Sequence, residues 1–243
     1  FVMQSMNQNF NLKRLERYLA VAWQSGAEPV VVLTKADLAG DPAAFVREAQ
    51  AAAPGAAVYA VSARTGQGLE ALNPYLLPGK TIAFLGSSGV GKSSLVNALA
   101  GEEVMSAGAI REEDGRGRHT TTHRQLLRLP GGVLIIDTPG MRELGLWEAG
   151  EGLGEAFPDV EALLGQCRFS DCRHQSEPGC AVRAAIEAGE LSPQRWESWQ
   201  KLQAENAASD RAALLRQKGE RNKAISKAVR AQEKLRRKGL RHI

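Results

Sequence analysis

The chain has 243 residues, of which 43% are hydrophobic and 24% charged, with a formal net charge of +4. This length allows one large globular domain with an attachment, or two modest domains. No apolar run approaches the roughly 18 residues of a membrane-spanning helix, and no signal segment opens the chain, so we expect a cytoplasmic protein without membrane contact. We also expect a monomer. Residues 216–241 carry eleven Lys or Arg and two Glu, which leaves +9 there and −5 elsewhere. This asymmetry predicts a tail that binds a polyanion.

Short β-rich runs alternate with amphipathic stretches as far as Gly140. Strands are predicted at 1–3, 29–33, 57–62, 80–86, 124–129 and 132–137, and helices at 12–23, 42–53, 69–75 and from Lys92. This alternation predicts an α/β domain over residues 1–150, with a mostly parallel sheet and helices on both faces. A polar, Gly-rich stretch at 105–123 interrupts the pattern and is typical of a functional or mobile loop.

The pattern changes after Phe157, where a compact group of Cys and His residues precedes helical sequence. Ser192 is placed as an N-cap and Pro193 as the first helical residue, so a helix should begin there. Possible breaks follow at Ser209 and Gly219. We predict a second, mainly helical, zinc-binding domain over residues 151–243, with basic C-terminal helices.

A phosphate-binding loop follows the apolar strand at 80–86 and precedes an amphipathic helix. Its letters, GSSGVGKSS, are Gly86, Ser87, Ser88, Gly89, Val90, Gly91, Lys92, Ser93 and Ser94. The glycines let backbone N–H groups turn toward phosphate oxygens, and the helix N-terminus adds positive potential. We expect Lys92 to contact the β- and γ-phosphates and Ser93 to bind Mg²⁺.

A second phosphate-side segment, DTPG, ends the last predicted strand. Asp137 is placed to hold the hydration shell of Mg²⁺, and Gly140 to donate its N–H to the γ-phosphate.

The segment Thr34, Lys35, Ala36 and Asp37 follows an apolar run and has the form of a guanine-reading signature. A carboxylate at Asp37 can accept from both N1–H and the 2-amino group of guanine, and the stem of Lys35 can lie across the base. The usual first residue of this signature is Asn, so Thr34 weakens or rebuilds one contact. Ser62 and Ala63 end the next strand, as a second base-reading loop would.

The three cysteines lie in one segment with the spacing Cys-x4-Cys-x-His-x5-Cys. Cys167, Cys172, His174 and Cys180 form a Cys₃His set, which suits tetrahedral Zn²⁺ and leaves no open position. The site should therefore be structural.

The order TKAD, SAR, GSSGVGKS, HTTT and DTPG is similar to that of the circularly permuted GTPases. Together with the Cys₃His set and GRGRHTTTH, it makes the chain resemble the ribosome small-subunit-dependent GTPase family. The resemblance implies a circularly permuted P-loop G domain that binds GTP or GDP and hydrolyses GTP. It also implies stimulation by the small (30S) subunit during its late maturation, and an N-terminal oligonucleotide-binding β-barrel that lies outside this sequence.

Hydrolysis needs a group that orients water, and the position after Gly140 is Met141, whose thioether cannot do so. Intrinsic hydrolysis should be slow. His119 is our candidate for the catalytic group, His123 is the alternative, and both could instead be solvated loop residues. One of residues 120–122 should complete the Mg²⁺ shell, and we expect Thr121 or Thr122.

Basic residues near the C-terminus recur at helical spacing. Lys223, Lys227, Arg230, Lys234, Arg237 and Arg241 fall on one face, which favours binding to ribosomal RNA, although a merely solvated face is the alternative. Two other functions stay open: a permuted GTPase of large-subunit assembly, and an RNA-binding scaffold in which nucleotide only sets conformation.

Overall fold

The structure, a computed structural model, describes residues 1–105, 125–137 and 150–239. The strands are β1 (Val2–Ser5), β2 (Val30–Thr34), β3 (Ala57–Ala60), β4 (Thr81–Ala83), β5 (Leu85–Gly86), β6 (Gln125–Arg128) and β7 (Leu134–Asp137). The α-helices are α1 (Leu12–Gln24), α2 (Pro42–Ala52), α3 (Lys92–Ala100), α4 (Gly150–Ala156), α5 (Pro158–Glu161), α6 (Ala181–Glu187) and α7 (Pro193–Gly239). Short 3₁₀ helices cover Ala36–Leu38 and Leu69–Tyr75.

The strands pair in the orders β3-β2-β1-β5 and β4-β7-β6. Only Phe84 separates β4 from β5, so one extended run of chain belongs to both sheets. Every described pairing is parallel except that of β6 with β7. The predicted mostly parallel α/β sheet is therefore confirmed.

Both faces of the sheet are covered. In β2, Val31 and Leu33 belong to one hydrophobic cluster, with α1 and α2, while Val30 and Val32 belong to another, with Leu95 of α3. Because successive side chains of a strand point to opposite faces, a continuous apolar strand is expected in a sheet buried on both sides.

The helices begin where capping residues stand. Asn11 Oδ1 accepts from Arg14 N at 2.9 Å at the start of α1, and Asp41 Oδ1 accepts from Ala44 N at 3.1 Å at the start of α2. Ser192 Oγ accepts from Arg195 N at 3.1 Å, which confirms the predicted start of α7.

Helix α7 runs through Ser209 and Gly219 without the breaks considered possible there. A glycine in a helix interior costs only about 1 kcal/mol, and strong helix formers flank Gly219. Its 47 residues extend over about 70 Å, and beyond Leu202 no residue whose side chain is described is buried. Among the described residues, no helix combines the length and apolarity needed to cross a bilayer.

Helices α4 and α7 pack on α1, and α5 and α6 contribute to the same hydrophobic cluster. Gly152 of α4 lies so close to α1 that a Cβ there would be 2.1 Å from Ala20 O, and its N–H donates to Gln24 Oε1 at 2.9 Å. Phe157 and Val160 enter the same hydrophobic cluster as Leu15 and Leu19. The division of the chain into residues 1–150 and 151–243 stays a prediction.

A buried ion network adds to this junction. Arg195 of α7 donates to Glu16 Oε1 of α1 at 3.0 Å and to both oxygens of Asp159 at 2.5 and 2.7 Å. Its guanidinium also lies 4.4 Å from the centroid of the Phe157 ring. Burial raises the pKa of Glu16, and the paired Arg195 opposes that shift.

Candidate nucleotide and metal sites

The two predicted base-reading loops lie side by side. After β2, Lys35 takes a left-handed conformation (φ 62°), which turns the chain into the 3₁₀ helix Ala36–Leu38. Ala36 N donates to Val61 O at 3.1 Å, and Ser62 Oγ donates to Asp37 Oδ1 at 2.7 Å. The second loop therefore orients the carboxylate that was predicted to read guanine. Ala63 adjoins it in the chain.

The base-reading loop is tied to the phosphate loop. Thr34 Oγ1 donates to Val90 O at 2.5 Å, and Lys35 Nζ donates to Gly89 O at 2.8 Å. These contacts join residues 56 and 54 positions apart in the sequence. The structure thus brings together two segments whose order along the chain is reversed relative to ordinary G domains.

The phosphate loop has the predicted strand, loop and helix context. It begins at Gly86, the end of β5, and leads into α3 at Lys92. Gly89 (φ 72°) and Gly91 (φ 101°) adopt backbone conformations that side chains rarely allow. Val90 points into the core and anchors the loop.

The other loop residues lie around this anchor. Ser88, Gly89 and Ser94 are exposed, while Ser87, Gly91, Lys92 and Ser93 are half-buried. The outer side of the loop is therefore open to a ligand.

Several predicted residues fall outside what the structure describes. His119, Thr121, Thr122 and Gly140 lie outside the described residues. Asp137 is the last residue of β7, whose neighbour Ile136 pairs with Ala83 of β4. Since carboxyl ends of parallel strands meet at one sheet edge, the backbone of Asp137 lies at the edge from which the phosphate loop leaves.

The start of the polar loop is anchored by a residue that the sequence analysis missed. Asn97 of α3 accepts from Val104 N at 3.0 Å and Met105 N at 2.8 Å, and donates to Met105 O at 2.7 Å. An Asn in the interior of a helix was the available signal, because its side chain readily bonds to nearby backbone groups.

The four predicted metal ligands converge. The Cys167, Cys172 and Cys180 Sγ atoms and a ring nitrogen of His174 all lie within 4.8 Å of one another. His174 Nδ1 is 3.5 Å from Cys167 Sγ, 3.7 Å from Cys172 Sγ and 3.5 Å from Cys180 Sγ. Tetrahedral Zn²⁺ with bonds of about 2.0 to 2.3 Å needs donors separated by roughly 3.5 to 3.8 Å. The donor set and its spacing are therefore compatible with zinc.

A carboxylate shapes the loop that carries His174, which has a left-handed backbone (φ 58°). Glu177 accepts from the backbone N–H groups of Arg173, Gln175 and Ser176 at 2.8 to 3.0 Å. Hydrogen bonds from backbone N–H groups, its own first, lower the pKa of Glu177 to about 2. Nothing in the spacing of Glu177 identified it in the sequence as part of this site.

The cluster also rests on α7, where Trp196 meets the His174 ring edge to face at 5.5 Å and stacks on Trp199 at 5.0 Å. Desolvation raises the pKa of Cys172 to about 11, so this thiol must lose its proton when a metal binds.

Arg195 and Glu16 are a further pair that sequence reasoning missed. The signal was present, because Glu16 lies four residues after Leu12 and three before Leu19 and therefore on the apolar face of α1.

These features define the class: a permuted P-loop domain of the GTPase type, joined to a Cys₃His cluster. A sequence model of the RsgA GTPase family matches residues 1–147. The chain belongs to this family.

Curated relatives cover nearly the whole chain. One is the "small ribosomal subunit biogenesis GTPase RsgA 2" of Listeria monocytogenes, 50% identical over 240 residues, which are 98% of this chain and 69% of the relative. Another is the RsgA protein of Opitutus terrae, 50% identical over 239 residues, which are 97% of this chain and 65% of the relative. This chain thus spans about two thirds of the length of these relatives.

Two solved structures are similar to this chain over more than four fifths of its length. The crystal structure of YjeQ from Thermotoga maritima has a TM-score of 0.61 and 34% identity, over 83% of this chain and 68% of that one. YloQ, described as a circularly permuted GTPase, has a TM-score of 0.56 and 32% identity, over 84% of this chain and 66% of that one. The permuted order predicted from the sequence is confirmed.

Proposed function

We propose that the protein is a GTP hydrolase that acts as a switch in late maturation of the small ribosomal subunit, slow alone and stimulated by the subunit. The observation that carries this proposal is the junction of Thr34 and Lys35 with Val90 and Gly89. It places the proposed base-reading loop beside the proposed phosphate loop. Membership of the RsgA GTPase family and the names of the relatives support the ribosomal role.

The pocket supplies guanine recognition and phosphate binding. Asp37, oriented by Ser62, is placed to accept from N1–H and the 2-amino group of the base. Lys92 at the start of α3 is assigned to the β- and γ-phosphates, together with the backbone N–H groups of the phosphate loop.

Mg²⁺ belongs to this chemistry and would be held by Ser93, Asp137 and one of Thr121 or Thr122. When bound, it would neutralise charge on the β- and γ-phosphates. Gly140 is assigned to the γ-phosphate.

We assign the catalytic role to His119, with His123 as the alternative. In this scheme the subunit orders the loop and brings the imidazole to the attacking water, since Met141 cannot orient it. His119→Ala should abolish subunit-stimulated turnover while GDP affinity stays within twofold of wild type. His123→Ala tests the alternative and should keep stimulated turnover. Full stimulated turnover in His119→Ala would remove His119 from the mechanism.

We also propose a structural Zn²⁺ in the C-terminal part of the chain, held by Cys167, Cys172, His174 and Cys180. Four protein donors would fill a tetrahedral shell, so this site would hold the fold without taking part in hydrolysis.

Helix α7 is proposed to bind ribosomal RNA. Its backbone is helical from Pro193 to Gly239, so five of the six residues predicted to form the basic face are placed along one side of the helix: Lys223, Lys227, Arg230, Lys234 and Arg237. The sixth, Arg241, lies outside the described residues. Binding to the subunit should then weaken steeply as salt rises, because phosphate contacts release counterions. Salt-insensitive binding would indicate a merely solvated face.

The deciding experiment is GTP turnover by the protein alone, with purified small subunits, and with purified large subunits. Stimulation by the small subunit alone is the expected result. Stimulation by the large subunit alone would indicate a large-subunit assembly GTPase, and no turnover in any arm would indicate an RNA-binding scaffold. A cytoplasmic location follows from a ribosomal partner.

A further inference from the structure

Thr34 has one proton to give and two acceptors within reach. The residue is 3% exposed, and its Oγ1 lies 2.5 Å from Val90 O and 3.3 Å from Gln4 O. A threonine hydroxyl donates one hydrogen bond. The shorter distance lies within the usual range for O–H···O bonds and the longer one does not, so the proton goes to Val90 O.

Because its proton is used in this hydrogen bond, Thr34 is limited in the hydrogen bonds that it can make to a nucleotide base. With its only proton engaged, Oγ1 can act toward a further group only as an acceptor. The N7 and O6 atoms on the outer edge of guanine are themselves acceptors, so Thr34 has nothing to give them. An Asn at this position, usual in the signature, would carry two N–H donors and could hold a carbonyl and N7 together.

Lys35 reinforces the same arrangement. Its Nζ donates to Gly89 O at 2.8 Å, beside the carbonyl that Thr34 holds. Two neighbouring residues of the base-reading loop thus hold two neighbouring carbonyls of the phosphate loop. At its other end, this loop carries Asp37, whose carboxylate Ser62 orients.

We infer that Thr34 is a positioning residue for the phosphate loop and that the base-reading loop, Thr34 to Asp37, makes no hydrogen bond to purine N7. This loop then selects guanine through the N1–H and 2-amino edge at Asp37. This inference rests on the proposed guanine-nucleotide function. It predicts a nucleotide specificity: a guanine analogue with carbon in place of N7 should be accepted like guanine itself.

The test is calorimetric titration of the full chain with GDP, 7-deaza-GDP and ADP. Wild type should bind 7-deaza-GDP with an affinity less than threefold weaker than that for GDP. A penalty of threefold or more would overturn the inference. If instead GDP binds no better than ADP, the proposed function itself fails, which separates the two outcomes.

Variants at Thr34 distinguish positioning from base contact. Thr34→Val keeps the shape and removes the hydroxyl, which leaves Val90 O unpaired, so the affinities for GDP and 7-deaza-GDP should both fall about tenfold with their ratio unchanged. Thr34→Ser, which restores the hydroxyl, should recover most of the loss. Thr34→Asn adds a donor and should create a preference for GDP over 7-deaza-GDP. A loss in Thr34→Val confined to GDP would contradict the inference, and if that variant does not fold, the wild-type ratio still decides.

Discussion

The nucleotide pocket and the Cys₃His cluster are assembled over very different distances along the chain. In the pocket, Thr34 and Lys35 contact residues 56 and 54 positions away. In the cluster, Cys167 and Cys180 are 13 positions apart, and the other two ligands lie between them. The nucleotide pocket is therefore assembled by the pairing of distant strands in the sheet. The cluster lies within one short loop, which needs its own source of stability.

Because the two sites are built so differently, their stabilities should depend on different parts of the molecule. Strand pairing and two hydrophobic clusters hold the base and phosphate loops in place before any ligand arrives. The cluster loop is stabilised by the hydrogen bonds of Glu177, by the contact between His174 and Trp196, and by a metal ion if one binds. Changes to the cluster should accordingly leave the pocket largely intact, and changes at the junction on α1 should affect both.

The largest effect is expected from opening the cluster. Cys172→Ser, or removal of metal by a chelator, should speed amide hydrogen exchange through residues 163–180 and the first turns of α7, since structural zinc contributes about 10 to 16 kcal/mol in small zinc-binding peptides. Exchange in β1 and β2 and the GDP affinity should change less than threefold. Ser170→Ala, an exposed change on the same loop, is the control. A parallel loss of GDP affinity would contradict the view that the pocket is stable without the cluster.

The next effect concerns the buried ion network between α1 and α7. Arg195→Met should lower the free energy of unfolding by about 4 kcal/mol, because Glu16 and Asp159 lose their shared partner and Glu16 is buried. Urea denaturation measures the change. Lys13→Met removes the exposed pair of Lys13 with Glu197, which also joins α1 to α7, and should cost below about 1 kcal/mol. Equal losses in the free energy of unfolding would show that the buried network stabilises the fold no more than the exposed pair does.

A somewhat smaller effect is expected where α4 meets α1. Gly152→Ala places a Cβ 2.1 Å from Ala20 O and should cost about 3 kcal/mol through forced separation of the two helices. Gly154→Ala in the same helix meets only the Glu161 side chain, at 3.7 Å, and should be neutral or stabilising by up to about 1 kcal/mol. Thermal unfolding of the two variants distinguishes the effect of the close contact between helices from the effect of helix propensity on stability.

The smallest effect concerns the second base-reading loop. Ser62→Ala removes the hydrogen bond of 2.7 Å to Asp37 Oδ1 and should weaken GDP binding by about fivefold, equivalent to about 1 kcal/mol. The same change removes the acceptor of Thr65 N at 3.2 Å, so the free energy of unfolding should fall by about 1 kcal/mol. Binding as tight as wild type would show that Asp37 is oriented without its neighbour.

Local patterns predicted much of this molecule. The phosphate loop and the Cys₃His set each occupy a short segment with fixed spacing, so their chemistry could be read before any fold was known. The helix starts at Lys92 and Pro193 followed from loop and capping residues in the same way.

Long-range contacts could not be predicted in that way. The partner of Thr34, the burial of Arg195 and the closeness of Gly152 to α1 depend on how distant segments pack. Glu16 on the apolar face of α1 signalled a buried charge, but not its partner. The possible breaks in α7 were considered because Ser209 and Gly219 are weak helix formers, and the surrounding helix formers outweigh them.

The central claim is that Asp37 reads guanine in a pocket built from segments in permuted order, and Asp37→Asn tests it most directly. In titrations with GDP, xanthosine diphosphate and ADP, the variant should lose about 100-fold in GDP affinity. One carboxylate oxygen becomes an NH₂ donor that faces the 2-amino group of guanine, and the remaining hydrogen bond to N1–H loses its charge. It should gain affinity for xanthosine diphosphate, whose 2-oxo group can accept from the new amide. GDP affinity equal to that of wild type, or wild type that binds ADP as tightly as GDP, would contradict the account.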